Sequence, residues 1–121
     1  MLTALWILNG VLAVFFLVAG GMKLLRTKEE LRASGQGWTD DFRPGSIKGI
    51  GVAEVLGALG LILPLATGIA PVLAPLAAAG LAIDMGAATV VHSQRNETML
   101  PTLGLGLATT VSVVLGFIHV L

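Results

Sequence analysis

Residues 49 to 64 read GIGVAEVLGALGLILP. Apart from Glu54 every position is aliphatic, glycine or proline, and no alternation of period two marks a strand. A run this apolar belongs in hydrocarbon, so the chain is read for a bilayer before any other solvent. Its single glutamate then raises a question of function, because charges could have been kept in the polar connections and here one is not.

Composition agrees with that reading. The chain has 121 residues, of which 55% are hydrophobic and 12% charged, against roughly 25% charged in a soluble domain. Mean hydropathy is +0.93. The absence of cysteine excludes disulfides, thiolate metal sites and attachment of c-type haem. His92 and His119 stand far apart, so neither a bis-histidine haem nor a metal site is expected. There is no basic stripe with interleaved aromatics, and nucleic acid is not an expected partner. The opening MLTALWILNG has no basic n-region, and its apolar run reaches Lys23 without a cleavage pattern. It reads as a retained membrane helix.

Four apolar blocks follow one another. The first, about residues 2–25, would be some 36 Å long at ~1.5 Å per residue, enough for a hydrocarbon core of about 30 Å. The second is expected over 46–63, ending where Pro64 opens the uncharged linker PLATGIAP; the third over 71–91; the fourth over 99–121. Pro75 and Pro101 fall in first turns, where a missing N–H is harmless. Helical charge stripes that would suit a soluble bundle are missing. The expected fold is all-α, one four-transmembrane-helix bundle over residues 1–121.

Charge then sets the orientation. The connection from Lys23 to Lys48 holds six Lys or Arg, the connection between the third and fourth blocks adds Arg95, and the opposite side has none. By the positive-inside rule both charged connections are expected in the cytoplasm and both termini outside, in a bacterial inner (cytoplasmic) membrane. Small residues recur every four positions as Gly49, Ala53 and Gly57, with Gly60 close by, and as Gly104, Ala108, Ser112 and Gly116. Such stripes let helices approach closely in lipid. They would serve packing within the bundle, a homo-oligomer, or a flat ligand.

Two carboxylates lie at similar depth. Glu54 is about 12 Å along the second block from Ser46, and Asp84 is about 10 Å before Val91 on a helix of opposite sense. Neither is stable facing lipid, so both are expected to point inward, as structural hydrogen-bond partners or as proton-exchanging and ligand-binding groups. Lys23 ends the first block, on a stem long enough to reach water or Glu54. Asn9, Phe16 and Lys23 are seven apart and share a face; Asn9 reads as interhelical glue, with a weaker candidacy for ligand contact. His92, eight positions after Asp84, would cap its helix or relay protons from water. Between them, LRTKEELRAS has helical character and the following GQG is flexible. Trp38 and Phe42 then suit the headgroup level, as an interfacial anchor or as a lid hinged at Gly35 and Gly37.

FFLVAGGMKLL at 15–25, IKGIGVAEVLGALGLILP at 47–64 and LAPLAAAGLAIDMGAATVVH at 73–92 together resemble the DoxX-like family of small four-helix membrane proteins. The most specific parts are Ala19, Gly20, Gly21 and Lys23, and Glu54 with Leu56, Gly57, Ala58 and Pro64. The resemblance implies a role in membrane redox chemistry, since relatives include a subunit of thiosulfate:quinone oxidoreductase. It makes Lys23 and Glu54 the family's polar pair, with Asp84 and His92 at weaker positions. No intrinsic cofactor is expected, and electrons would come from a partner subunit, with a quinone as the possible acceptor. The expected function is a quinone- or lipid-binding subunit whose head site is Glu54, Asp84 and Lys23 under Trp38 and Phe42. The alternatives are a structural or assembly subunit of a membrane complex and a small proton-coupled transporter.

Overall fold

The computed structural model describes residues 2–121, and among these it is helical with no strand. Its elements are α1 (Leu2–Leu25), α2 (Lys28–Ala33), a 3-10 turn (Gly37–Asp41), α3 (Pro44–Thr67), α4 (Leu73–Gln94) and α5 (Leu100–Val120). The helices α1, α3, α4 and α5 are each long and apolar enough to cross a membrane. They are apolar around their whole circumference. Ile7, Val11, Val14, Ile83 and Leu107 lie exposed on the outside of the bundle, an arrangement that water would penalise and acyl chains would not.

Successive spans are antiparallel, joined by the folded segment 26–43 and by two short turns, and close a ring in the order α1, α3, α4, α5. The pairs α1–α3 and α4–α5 pack most extensively, α3–α4 less, and α1–α5 least. Leu12, Ala13, Phe16, Ala58, Leu61, Ala78, Leu81 and Met85 form the buried core. At the far end from the charged connections Asn9 ties three helices together. Its Nδ2 donates to the Leu61 carbonyl at 2.9 Å and its Oδ1 accepts from Ser112 Oγ at 2.6 Å.

Pro64 does not end its helix. Contrary to the sequence expectation, α3 runs through it to Thr67, with Pro64 itself buried. The proline removes the N–H that would have bonded to the Gly60 carbonyl, but it stands in the last turn, where one lost bond leaves the remaining ladder intact. Gly68 makes the stop instead: at φ +71° its N–H donates to the Pro64 carbonyl at 3.0 Å, a left-handed cap that glycine adopts without strain. The linker shrinks accordingly, and Pro71 falls in the turn before α4, whose own end lies three residues beyond Val91.

The small-residue stripes make contact over only part of their length. A Cβ on Gly57 would meet Leu81, one on Gly60 would meet Ala77, and one on Gly116 would meet Pro75, whereas Gly49 and Gly104 have nothing within 4 Å. The reason is geometric: with 3.6 residues per turn, each step of four drifts about 40° around the helix, so a long stripe turns off the interface. The crossing at which two backbones meet directly lies elsewhere, between Gly20 and Gly51. A Cβ on Gly20 would come 2.8 Å from the Gly51 carbonyl oxygen, and one on Gly51 would come 2.9 Å from that of Gly20.

Candidate functional site

The Gly20–Gly51 crossing sets the geometry of the site. Three residues on from each glycine stand Lys23 and Glu54, and because the backbones nearly touch, Lys23 Nζ reaches Glu54 Oε1 at 2.6 Å. Their side chains are 11% and 3% exposed. The ammonium therefore turns inward to the carboxylate rather than snorkelling to water. It also lies 5.7 Å from the centroid of the Trp38 ring, within range of a cation–π attraction.

Trp38 belongs to a roof folded from the first polar connection. The roof begins with α2, where Thr27 Oγ1 accepts from Glu30 N and Glu30 Oε1 accepts from Thr27 N, both at 3.1 Å. This reciprocal cap starts a helix only six residues long. The Thr27 amide and hydroxyl hold the exposed Glu30 carboxyl below its ordinary value of 4.5. The 3-10 turn follows, held by Thr39 Oγ1 donating to the Gln36 carbonyl at 2.8 Å, while Lys28 Nζ donates to the Phe42 carbonyl at 2.9 Å. Trp38 and Phe42 pack edge to face at 5.6 Å. Lys48 closes the end of α1 by donating to the Leu24 and Arg26 carbonyls, each at 2.7 Å.

From α4 the roof is pinned by Arg95. Its Nη1 donates to Asp41 Oδ2 at 3.1 Å and its Nε to Glu97 Oε1 at 3.3 Å. The same Glu97 oxygen lies 3.0 Å from His92 Nδ1. The Asp41 carboxylate, with Glu97 adding to it, raises the pKa of the half-buried Arg95 guanidinium above its ordinary value.

Beneath the roof is a cavity of about 460 Å³, lined by Lys23, Glu54, Asp84, Gln36, Trp38 and His92 among mostly apolar side chains. The size suits a small-molecule site. Four of the sequence candidates, Lys23, Glu54, Asp84 and His92, thus share one chamber with Trp38 and Phe42 in its wall. Asn9 lies outside it, with both ends of its amide engaged in holding helices together. Asp84 Oδ2 is buried without a hydrogen-bond partner. The chamber thus sets two carboxyl groups beside one lysine, an arrangement that can share a proton or hydrogen-bond a polar head group.

A shallower groove of about 440 Å³ runs along the α3–α4 seam through Gly57, Ala77 and Gly80, and Glu54 and Asp84 line it as well. The carboxylates stand at the boundary between chamber and groove. Sequence reasoning did not find Gln36, nor the roof contacts of Asp41, Arg95 and Glu97, which carry no motif. Gly20 was visible in the run AGGMK, but its partner Gly51 was not.

A family model described as the DoxX-like family matches residues 7–119. The chain belongs to the DoxX-like family. Searches among curated proteins and solved structures give no match. The matched residues include nearly all of the four apolar helices and the whole chamber. This DoxX-like chain is an integral membrane protein, and its buried lysine and two carboxylates lie in the half of the bundle that carries the basic connections.

Proposed function

We propose that this DoxX-like protein is a quinone- or lipid-binding subunit associated with membrane redox chemistry. The observation that carries the reading is the unpartnered Asp84 Oδ2 beside the Lys23–Glu54 pair, in an apolar chamber of about 460 Å³. A buried polar atom without a partner costs about 1–3 kcal/mol, and a ligand head that hydrogen-bonds to it would recover that cost. The aromatic wall of Trp38 and Phe42 suits a planar head, and the apolar remainder suits the start of its tail.

Quinone reduction takes up two electrons and two protons. The protein supplies no electron carrier of its own in this reading, so electrons come from a partner subunit. Asp84 and Glu54 would hold and hand on protons, and Lys23 would set the charge balance. By the positive-inside rule the roof faces the cytoplasm across a bacterial inner membrane, and both termini face outward.

A second reading, a structural or assembly subunit, draws on the Lys23–Glu54 bond lying directly at the Gly20–Gly51 crossing. Glu54→Gln in lipid nanodiscs separates the two. In a Trp6→Phe background Trp38 is the sole tryptophan, and its quenching by an added quinone reports occupancy. A folded Glu54→Gln protein with lost quenching supports ligand binding. Loss of the folded bundle supports the structural role.

A further inference from the structure

The chamber is not closed on all sides. Its wall on α1 is Phe15, Val18, Ala19 and Met22, and its wall on α5 is Pro101, Thr102 and Leu105. Phe15 and Val18 are at the same time exposed on the outside of the bundle, at 45% and 58%. A side chain that both lines a chamber and faces the outside marks an opening. That opening lies between the two neighbouring helices that touch least.

Helices α1 and α5 are fastened to each other at the other end. Among the described residues the hydrogen bond between them is Ser112 to Asn9, and Asn9 lies fourteen residues before Lys23, about 21 Å lower along α1. Beside the chamber no hydrogen bond or ion pair among the described residues bridges the two. Two of the other seams are shut at this level: Gly20 and Gly51 bring α1 against α3, and Thr89 Oγ1 donates to Thr102 Oγ1 at 2.9 Å between α4 and α5, which leaves the α3–α4 groove as the one competitor. Above, the roof is fixed by Arg95 and Lys28.

We infer that the α1–α5 gap is a lateral portal, through which an amphiphile with a planar polar head passes its head in from the bilayer and leaves its apolar tail lying between Phe15, Val18 and Leu105. This deepens the binding role proposed above and rests on it. The α3–α4 groove is the competing tail site. It is also apolar, but it lies on the other side of Glu54 and Asp84, so a tail there would have to thread past two carboxylates.

The test uses a decyl-tailed benzoquinone carrying a diazirine at the tail end, photolysed with the full chain in nanodiscs, with labelled residues mapped by mass spectrometry. The tail-less parent quinone is measured separately by Trp38 quenching in Trp6→Phe. Competable label on residues 15–22 of α1 and 101–105 of α5 is the expected result. Label confined to residues 77–80 and 57–60 overturns the portal while leaving the head site standing. Failure of the tail-less quinone to quench Trp38 overturns the head site and the portal together. As a second measurement, Val18→Phe narrows the outer lip at an exposed position without loss of core. It should slow association of the tailed quinone by about tenfold, the lower part of the range over which on-rates vary among variants, and slow the tail-less one, which enters by the same gap, to a smaller extent. Equal rates for the tailed quinone in Val18→Phe and the parent protein would overturn the portal. Gly80→Leu, which fills the groove where a Cβ meets nothing, should change neither.

Discussion

Lys23 and Glu54 are joined at 2.6 Å across a helix crossing where two glycine backbones nearly touch. Glu54→Leu removes the bonded partner of the buried ammonium and leaves it only the unbonded Asp84 carboxyl in the chamber, so the bundle should lose up to about 3–5 kcal/mol, the cost of a buried charge left wholly unpaired. The double variant Lys23→Met with Glu54→Leu should recover most of that loss. Equilibrium unfolding in mixed micelles measures both. Equal losses in the single and double variants would show that Lys23 left without Glu54 carries no penalty.

The crossing itself is tested by glycine to alanine changes. Gly20→Ala and Gly51→Ala each drive a Cβ to within 3 Å of the opposite carbonyl oxygen and should part α1 from α3, disturbing the pair above it. Gly49→Ala and Gly104→Ala meet nothing, and at helix-interior positions each should be neutral or stabilising by up to about 1 kcal/mol. Thermal unfolding ranks the four variants. An unaffected Gly51→Ala would show that the two backbones can separate at no cost.

Asn9 is a keystone at the opposite end. Asn9→Leu should cost about 1–2 kcal/mol, the upper part of what interhelical hydrogen bonds contribute in membrane proteins, and Ser112→Ala somewhat less. Because Asn9 lies outside the chamber, neither variant should change quenching of Trp38 by the tail-less quinone in samples that remain folded.

Acid acts on the roof through Glu30. Its carboxyl is held below the ordinary 4.5 by the Thr27 amide and hydroxyl, so the cap's contribution is complete above that value. It is lost as pH falls through the lowered folded value, where the carboxylate takes a proton. Amide exchange of residues 28–33 should rise there, and Glu30→Gln should remove most of the dependence. A flat exchange profile across that window would rule out the cap as its cause.

Arg95 pins the roof to the end of α4, and Arg95→Ala should let Trp38 move. Quenching of Trp38 by acrylamide from the aqueous side, measured in Trp6→Phe, should increase several-fold, with global stability little changed because the bond lies at the surface, with Asp41 half exposed. Unaltered quenching would assign the roof's rigidity to Lys28 and the Thr39 turn instead.

The four spans were legible because the need to cover about 30 Å of hydrocarbon fixes helix length and composition almost independently of detail. The shared depth of Glu54 and Asp84 followed from helix rise alone. Pro64 misled because a proline in the last turn costs one hydrogen bond, whereas the end of α3 depends on the left-handed conformation of Gly68. The stripes misled where 40° of drift per step accumulates. Gly20 with Gly51, and Arg95 with Asp41, are pairs 31 and 54 positions apart. Nothing local in either member names the other, and only the helix packing brings them together.

The Arg95–Asp41 bond has a consequence for how such a chamber would fill. With the roof fastened on the watery side and the α1–α5 seam left unstitched, the proposed portal would make exchange with the surrounding leaflet faster than exchange with water. Occupancy would then follow the mole fraction of ligand dissolved in the bilayer, and the protein would report on membrane composition rather than on the solution around it.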